Sequence, residues 1–75
     1  MKKIDKILAL AKRNPDGISF RDFESLLASL GFQFDRQSGS HMIFIAPKGQ
    51  RVSIQNRDGM AKGYQVRQVL KLIKE

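Results

Sequence analysis

Gly31-Phe32-Gln33-Phe34-Asp35, followed by Ser40-His41-Met42-Ile43-Phe44-Ile45, decides how this chain folds. Before Gly31 the apolar residues recur at helical spacing. After it they alternate with polar ones, so the period drops to two. Phe32 and Phe34 predict a short first strand, Gln37-Ser38-Gly39 a turn, and Ser40 to Ile45 a second strand. Pro47-Lys48-Gly49-Gln50 reads as a second turn. Arg51 to Gln55 reads as a third strand, with Val52 and Ile54 facing the same way.

Working outward, Phe20, Phe23, Leu27 and Leu30 line one face of a helix that precedes the strands, widened by Leu26. Ser19 offers its N-cap, with Asp22 at the reciprocal position, and Gly31 suits its C′ position. Ile4, Ile7, Leu8 and Ala11 give an earlier helix over Lys3 to Arg13, closed by the turn Asn14-Pro15-Asp16-Gly17. Asn56 to Gly63 reads as a polar loop. A last helix is expected from Tyr64 to Lys74, with Val66, Val69, Leu70 and Ile73 buried and Lys71 and Lys74 complementing its dipole. The order is α-α-β-β-β-α. Short turns make the strands an antiparallel meander, and helices on one face make a two-layer α+β domain. Phe23, Leu27, Leu30, Phe34, Val52, Ile54, Val69, Leu70 and Ile73 are expected to form one core.

The chain has 75 residues, enough for one domain with a small core. It lacks cysteine, which excludes disulfides and thiolate chemistry and fits a reducing, cytoplasmic setting. No apolar run approaches the roughly 20 residues of a membrane helix, and Asp5 and Lys6 interrupt anything resembling a signal segment, so no membrane partner is expected. Fourteen Lys and Arg against seven Asp and Glu leave a net charge of +7. Such an excess draws polyanions, of which nucleic acid is the commonest.

His41 is the only histidine. An imidazole, with an unperturbed pKa of about 6.5, can take and give a proton near neutral pH, although a lone histidine is often an ordinary surface or core residue. Alternation puts His41, Ile43 and Ile45 on one strand face and Ser40, Met42 and Phe44 on the other, so Ser40 and His41 point apart. One histidine, no cysteine and scattered carboxylates do not make a metal set, and no cofactor is expected. Metal-free phosphodiester chemistry on RNA fits what remains, because the 2′-hydroxyl is a built-in nucleophile. It needs a base, for which His41 is the candidate, and cations, for which Arg36, Lys48, Arg51 and Arg57 are candidates. No acid is evident. Lys62-Gly63 before the last helix, with Arg67 one turn in, forms a candidate phosphate site at a helix N-terminus.

Gly39-Ser40-His41, the apolar strand and Pro-containing turn after it, and Lys62-Gly63 opening a C-terminal helix resemble the HicA toxin family over roughly Ser19 to Glu75. The resemblance implies a double-stranded-RNA-binding-like fold and a bacterial toxin. Such a toxin would be an endoribonuclease that cleaves mRNA without metal and is held inactive by a HicB antitoxin. His41 would be the family histidine, with Gly39 and Ser40 its preceding motif. The antitoxin would meet Ile43 and Ile45 on the His41 face. Residues 19–75 would be the family core and residues 1–14 a helical extension. Many members carry further histidines after the motif or the third strand, whereas here Met42 follows His41 and Gln55-Asn56 ends the third strand. Two other readings stand beside this one. The first is a non-catalytic module that reads RNA by shape. The second is a helix-turn-helix with a strand wing, which Asp22 and Glu24 on the second helix disfavour.

Overall fold

The computed structural model of the chain describes residues 2–73. Met1, Lys74 and Glu75 lie outside the described residues, and with them the expected last residue of the final helix. Helix α1 spans Lys3–Arg13, and a single 3-10 turn covers Pro15–Gly17. Then come α2 (Phe20–Ser29), β1 (Gln33–Ser38), β2 (His41–Ile45), β3 (Arg51–Arg57), β4 (Met60–Ala61) and α3 (Gly63–Ile73). The strands form one antiparallel sheet in the order β1-β2-β3-β4, so the class is α+β as expected.

The ends of α2 follow from its sequence. The Ser19 hydroxyl accepts the Asp22 N–H at 3.1 Å, which caps an otherwise unpaired donor. At the other end Gly31 has φ +88°, the Phe32 N–H reaches the Leu27 carbonyl at 2.9 Å, and the Gly31 N–H reaches Ala28 at 3.1 Å. These two bonds make a Schellman stop, which needs a residue without a Cβ at its left-handed position. The stop turns the chain from α2 directly into the sheet.

The turns fall a little differently from expectation. β1 runs on through Gln37 and Ser38, and the reversal is the two-residue loop Gly39-Ser40. The expected polar loop holds a second hairpin. Asp58 and Gly59 both have positive φ, at 51° and 87°, the signature of a type I′ turn. The Asn56 side chain accepts the Gly59 N–H at 2.6 Å. This hairpin adds β4 to the three meander strands. It also ties the sheet to the start of α2, through Phe20 N–H to Gly59 O and Ala61 N–H to Ile18 O, both 2.9 Å.

The core lies between the helices and one face of the sheet. Phe23, Leu27, Val52, Ile54 and Val69 are fully buried in it, and Leu30, Leu70 and Ile73 pack half-buried against it. Phe34 corrects the expectation: it is 53% exposed, although its ring meets Phe44 edge-on at 5.6 Å. The reason is topological. β1 is the outer strand, its register shifts between Phe34 and Arg36, and it lies beyond the cover of the helices. Phe32, just before β1, is the residue that reaches the core. Helix α1 contributes Ile7 and Ala11 to the same cluster.

Candidate functional site

The sheet has one covered face and one open face. Phe44 is buried and Met42 packs on the core, so that side of β2 faces the helices. His41, Ile43 and Ile45 therefore stand on the other side. Cross-strand pairing extends this face into three rows: Ser38–His41–Gln55, Arg36–Ile43–Ser53, and Gln33–Ile45–Arg51. Ile43 and Ile45 are half-buried, and His41 is exposed at the end of the column.

His41 owes its place to the hairpin before it. Gly39 has φ +61°, while Ser40 has a negative φ, which is the pattern of a type II′ turn. Nothing lies within 4 Å of where a Cβ would be at Gly39, so conformation alone calls for glycine there. The turn delivers His41 as the first residue of β2, opposite Ser38.

Gln55 is the other neighbour of His41. Its backbone N–H points away from β2 and donates to Gln65 Oε1 at 2.9 Å. His41 and Gln55 are thus a non-hydrogen-bonded pair, the kind in which Cα atoms approach to about 4.5 Å and side chains lie closest. The Gln55 amide is engaged at both ends. Its Nε2 donates to Ser40 Oγ at 3.3 Å, and its Oε1 accepts from Lys62 Nζ at 2.6 Å. Ser40, His41, Gln55 and Lys62 are in this way drawn to one end of the sheet, although Lys62 belongs to the α3 start.

The expected cations divide by position. Arg57 shares the open-face parity of Gln55 and, with Lys62, Gly63, Tyr64 and Arg67, lines a cleft of about 680 Å³ at the α3 N-terminus. Arg36 lies in the middle row, 3.7 Å from Asp35. Arg51 pairs with Ile45, four residues along β2 from His41, which at about 3.3 Å per residue is about 13 Å away. Lys48, in the turn beyond, lines a small apolar groove with Leu30, Phe32 and Leu72 at that same far end.

The α3 terminus differs from the open one expected. The helix begins at Gly63, and the Lys62 carbonyl already takes the N–H groups of Gln65 and Val66 at 3.0 and 3.1 Å. The Asp16 carboxylate lies against Gly63, so closely that no Cβ fits there, and pairs with Arg67 at 3.5 Å. The helix dipole and Arg67 therefore already face an anion.

Gln65 and Asp16 were not singled out from the sequence as site residues, and Gln55 only as the end of the third strand, where many family members carry a histidine. Strand parity does place Gln55 opposite Val52 and Ile54, and so on the open face. Gln65 adjoins the apolar stripe of α3, and at 3% exposed it is the buried polar residue whose amide must find partners. It finds the Gln55 N–H and Tyr64 Oη, the latter at 3.3 Å. Asp16 has no local signal, since its contact is with residues far along the chain. Among the described residues no three histidine, cysteine or carboxylate side chains gather as metal ligands would.

Compared with known proteins, residues 20–74 match a family model described as the HicA toxin of bacterial toxin–antitoxin systems. No curated protein and no solved structure matches the chain.

Proposed function

The chain belongs to the HicA toxin family and is the toxin of a toxin–antitoxin pair, and on that footing we propose that it is a metal-independent endoribonuclease acting on mRNA with His41 as general base. The observation that carries this reading is the placement of the single imidazole. It is exposed, at the rim of an open sheet face, with a lysine ammonium led to the same end by Gln55. An RNA backbone laid along that face would meet the exposed imidazole directly.

The chemistry asks little more of the protein. His41 accepts the proton of the ribose 2′-hydroxyl as its oxygen bonds to phosphorus. The bond to the 5′-oxygen breaks, and that oxygen takes a proton from water. The products are a 2′,3′-cyclic phosphate and a free 5′-hydroxyl. Arg57 and Lys62 neutralise the phosphate, while Arg67, in the same cleft, is paired with Asp16. Gly39 and Ser40 set the turn that aims His41. Arg36, Arg51 and Lys48 would hold more distant phosphates, with Gly63 supporting the cleft by admitting Asp16. The order α2-β1-β2-β3-α3 is read as a double-stranded-RNA-binding-like core, with residues 1–14 added to it.

The cognate antitoxin would cover Ile43 and Ile45, the half-buried apolar pair beside His41. Covering them would block RNA from the same face. Growth of a bacterial culture tests the reading. Induced wild-type protein should arrest growth with loss of intact mRNA, and equal amounts of His41→Ala protein should do neither. Arrest by a folded His41→Ala variant would overturn it. Tight RNA binding without cleavage by the wild type would instead favour a non-catalytic RNA-binding module.

A further inference from the structure

We infer that Gln55 is a positioning residue: it holds the Lys62 ammonium at the His41 rung of the sheet, where that ammonium meets the phosphate under attack. The inference rests on the nuclease reading and goes beyond it, because it assigns the local cation and what fixes it.

Three observations converge. Gln55 is the cross-strand partner of His41 on the open face. Its side-chain oxygen takes the Lys62 ammonium at 2.6 Å. Its backbone N–H is fixed by Gln65 Oε1 at 2.9 Å, and Gln65 is buried in α3. Lysine is a long side chain with four rotatable bonds, and left alone its head would roam the cleft and the solvent. The Gln55 oxygen restricts it to one place. The amide cannot be reversed, because an ammonium offers no acceptor and only the oxygen can face it. Nε2 is then left for Ser40 Oγ, at 3.3 Å, on the turn that carries His41. One side chain thus spans from the base-bearing hairpin to the α3 start. The ammonium keeps two further N–H donors for phosphate oxygens.

Such placement matters more to the transition state than to binding. A misplacement of 1 Å can cost about a hundredfold in rate. Gln55→Met keeps the length and removes both polar contacts. It should lower kcat by about tenfold or more with KM nearly unchanged, at an unaltered thermal midpoint. The deciding experiment is a double-mutant cycle of Gln55→Met with Lys62→Met, read as kcat on a single-stranded RNA. In the Lys62→Met background, Gln55→Met should change kcat by no more than about twofold, since its effect passes through Lys62. Equal losses in both backgrounds, or no loss in the wild-type background, would overturn the inference. Should Gln55→Met lower the thermal midpoint, Gln55→Asn gives the same readout, since it keeps an amide but withdraws it by one methylene. Cleavage that depends on His41 without Gln55–Lys62 coupling sinks only this inference. A wild-type protein no more active than His41→Ala sinks the nuclease reading and this inference with it.

Discussion

In the proposed reaction one imidazole accepts the proton, and two residues beside it decide where it sits. Gly39 holds φ +61° in open space. Gly39→Ala therefore meets no clash but carries the cost of a positive-φ turn conformation, about 1–3 kcal/mol. It should lower the unfolding midpoint and the cleavage rate together, which parallel melting and cleavage curves would check. His41 and its Gly-Ser turn were legible in the sequence, since a lone histidine at a strand start stands out. Gln55 was legible as an outward strand residue that ends the third strand where many family members carry a histidine, but not as a partner of Lys62. Its bond to Lys62 follows from the β3–β4 hairpin, whose register sets Asn56 against Ala61 and so brings Lys62 opposite Gln55.

Helices were read well because their signals are local. Ser19, Gly31 and the Phe20-Phe23-Leu27 stripe specify α2 within a dozen residues. Ser19→Ala should cost about 0.5–2 kcal/mol, measured by denaturant titration. Strands were read less well, because alternation gives parity but not which strand is the edge. Phe34 has the parity of a core residue and stands 53% exposed on the outer strand. Phe23→Ala should accordingly cost about 3–5 kcal/mol, and Phe34→Ala much less; equal losses would contradict the observed sheet order. The β3–β4 hairpin did have a local signal. Asp58-Gly59 is a strong type I′ pair, but β4 is only two residues long and offers no alternation of its own. At the antitoxin-facing column, Ile43→Ala and Ile45→Ala together should weaken toxin–antitoxin binding while sparing RNA cleavage, as titration with the purified antitoxin would show.

Charge acts over the whole molecule. The +7 excess was plain in the composition, but its distribution was not. Folding gathers Arg57, Lys62 and Arg67 in one cleft, sets Arg51 and Lys48 at the other end of the sheet, and places Asp16 over the α3 start. RNA binding should weaken with salt. Removing the Lys62 charge should flatten that dependence by about 0.7 in slope, the share of one phosphate on a single strand. The proposed chemistry depends least on charge and most on His41. The most direct measurement is cleavage of a single-stranded RNA in EDTA by wild-type and His41→Ala protein, with affinity and thermal midpoint followed alongside. The wild type should cut, leaving cyclic phosphate ends. The variant should bind as well and melt at the same temperature, yet cut about 10²–10⁴ times more slowly. Cleavage at the wild-type rate by folded His41→Ala protein would contradict His41 as the base, and loss of wild-type cleavage in EDTA would contradict a metal-independent reaction.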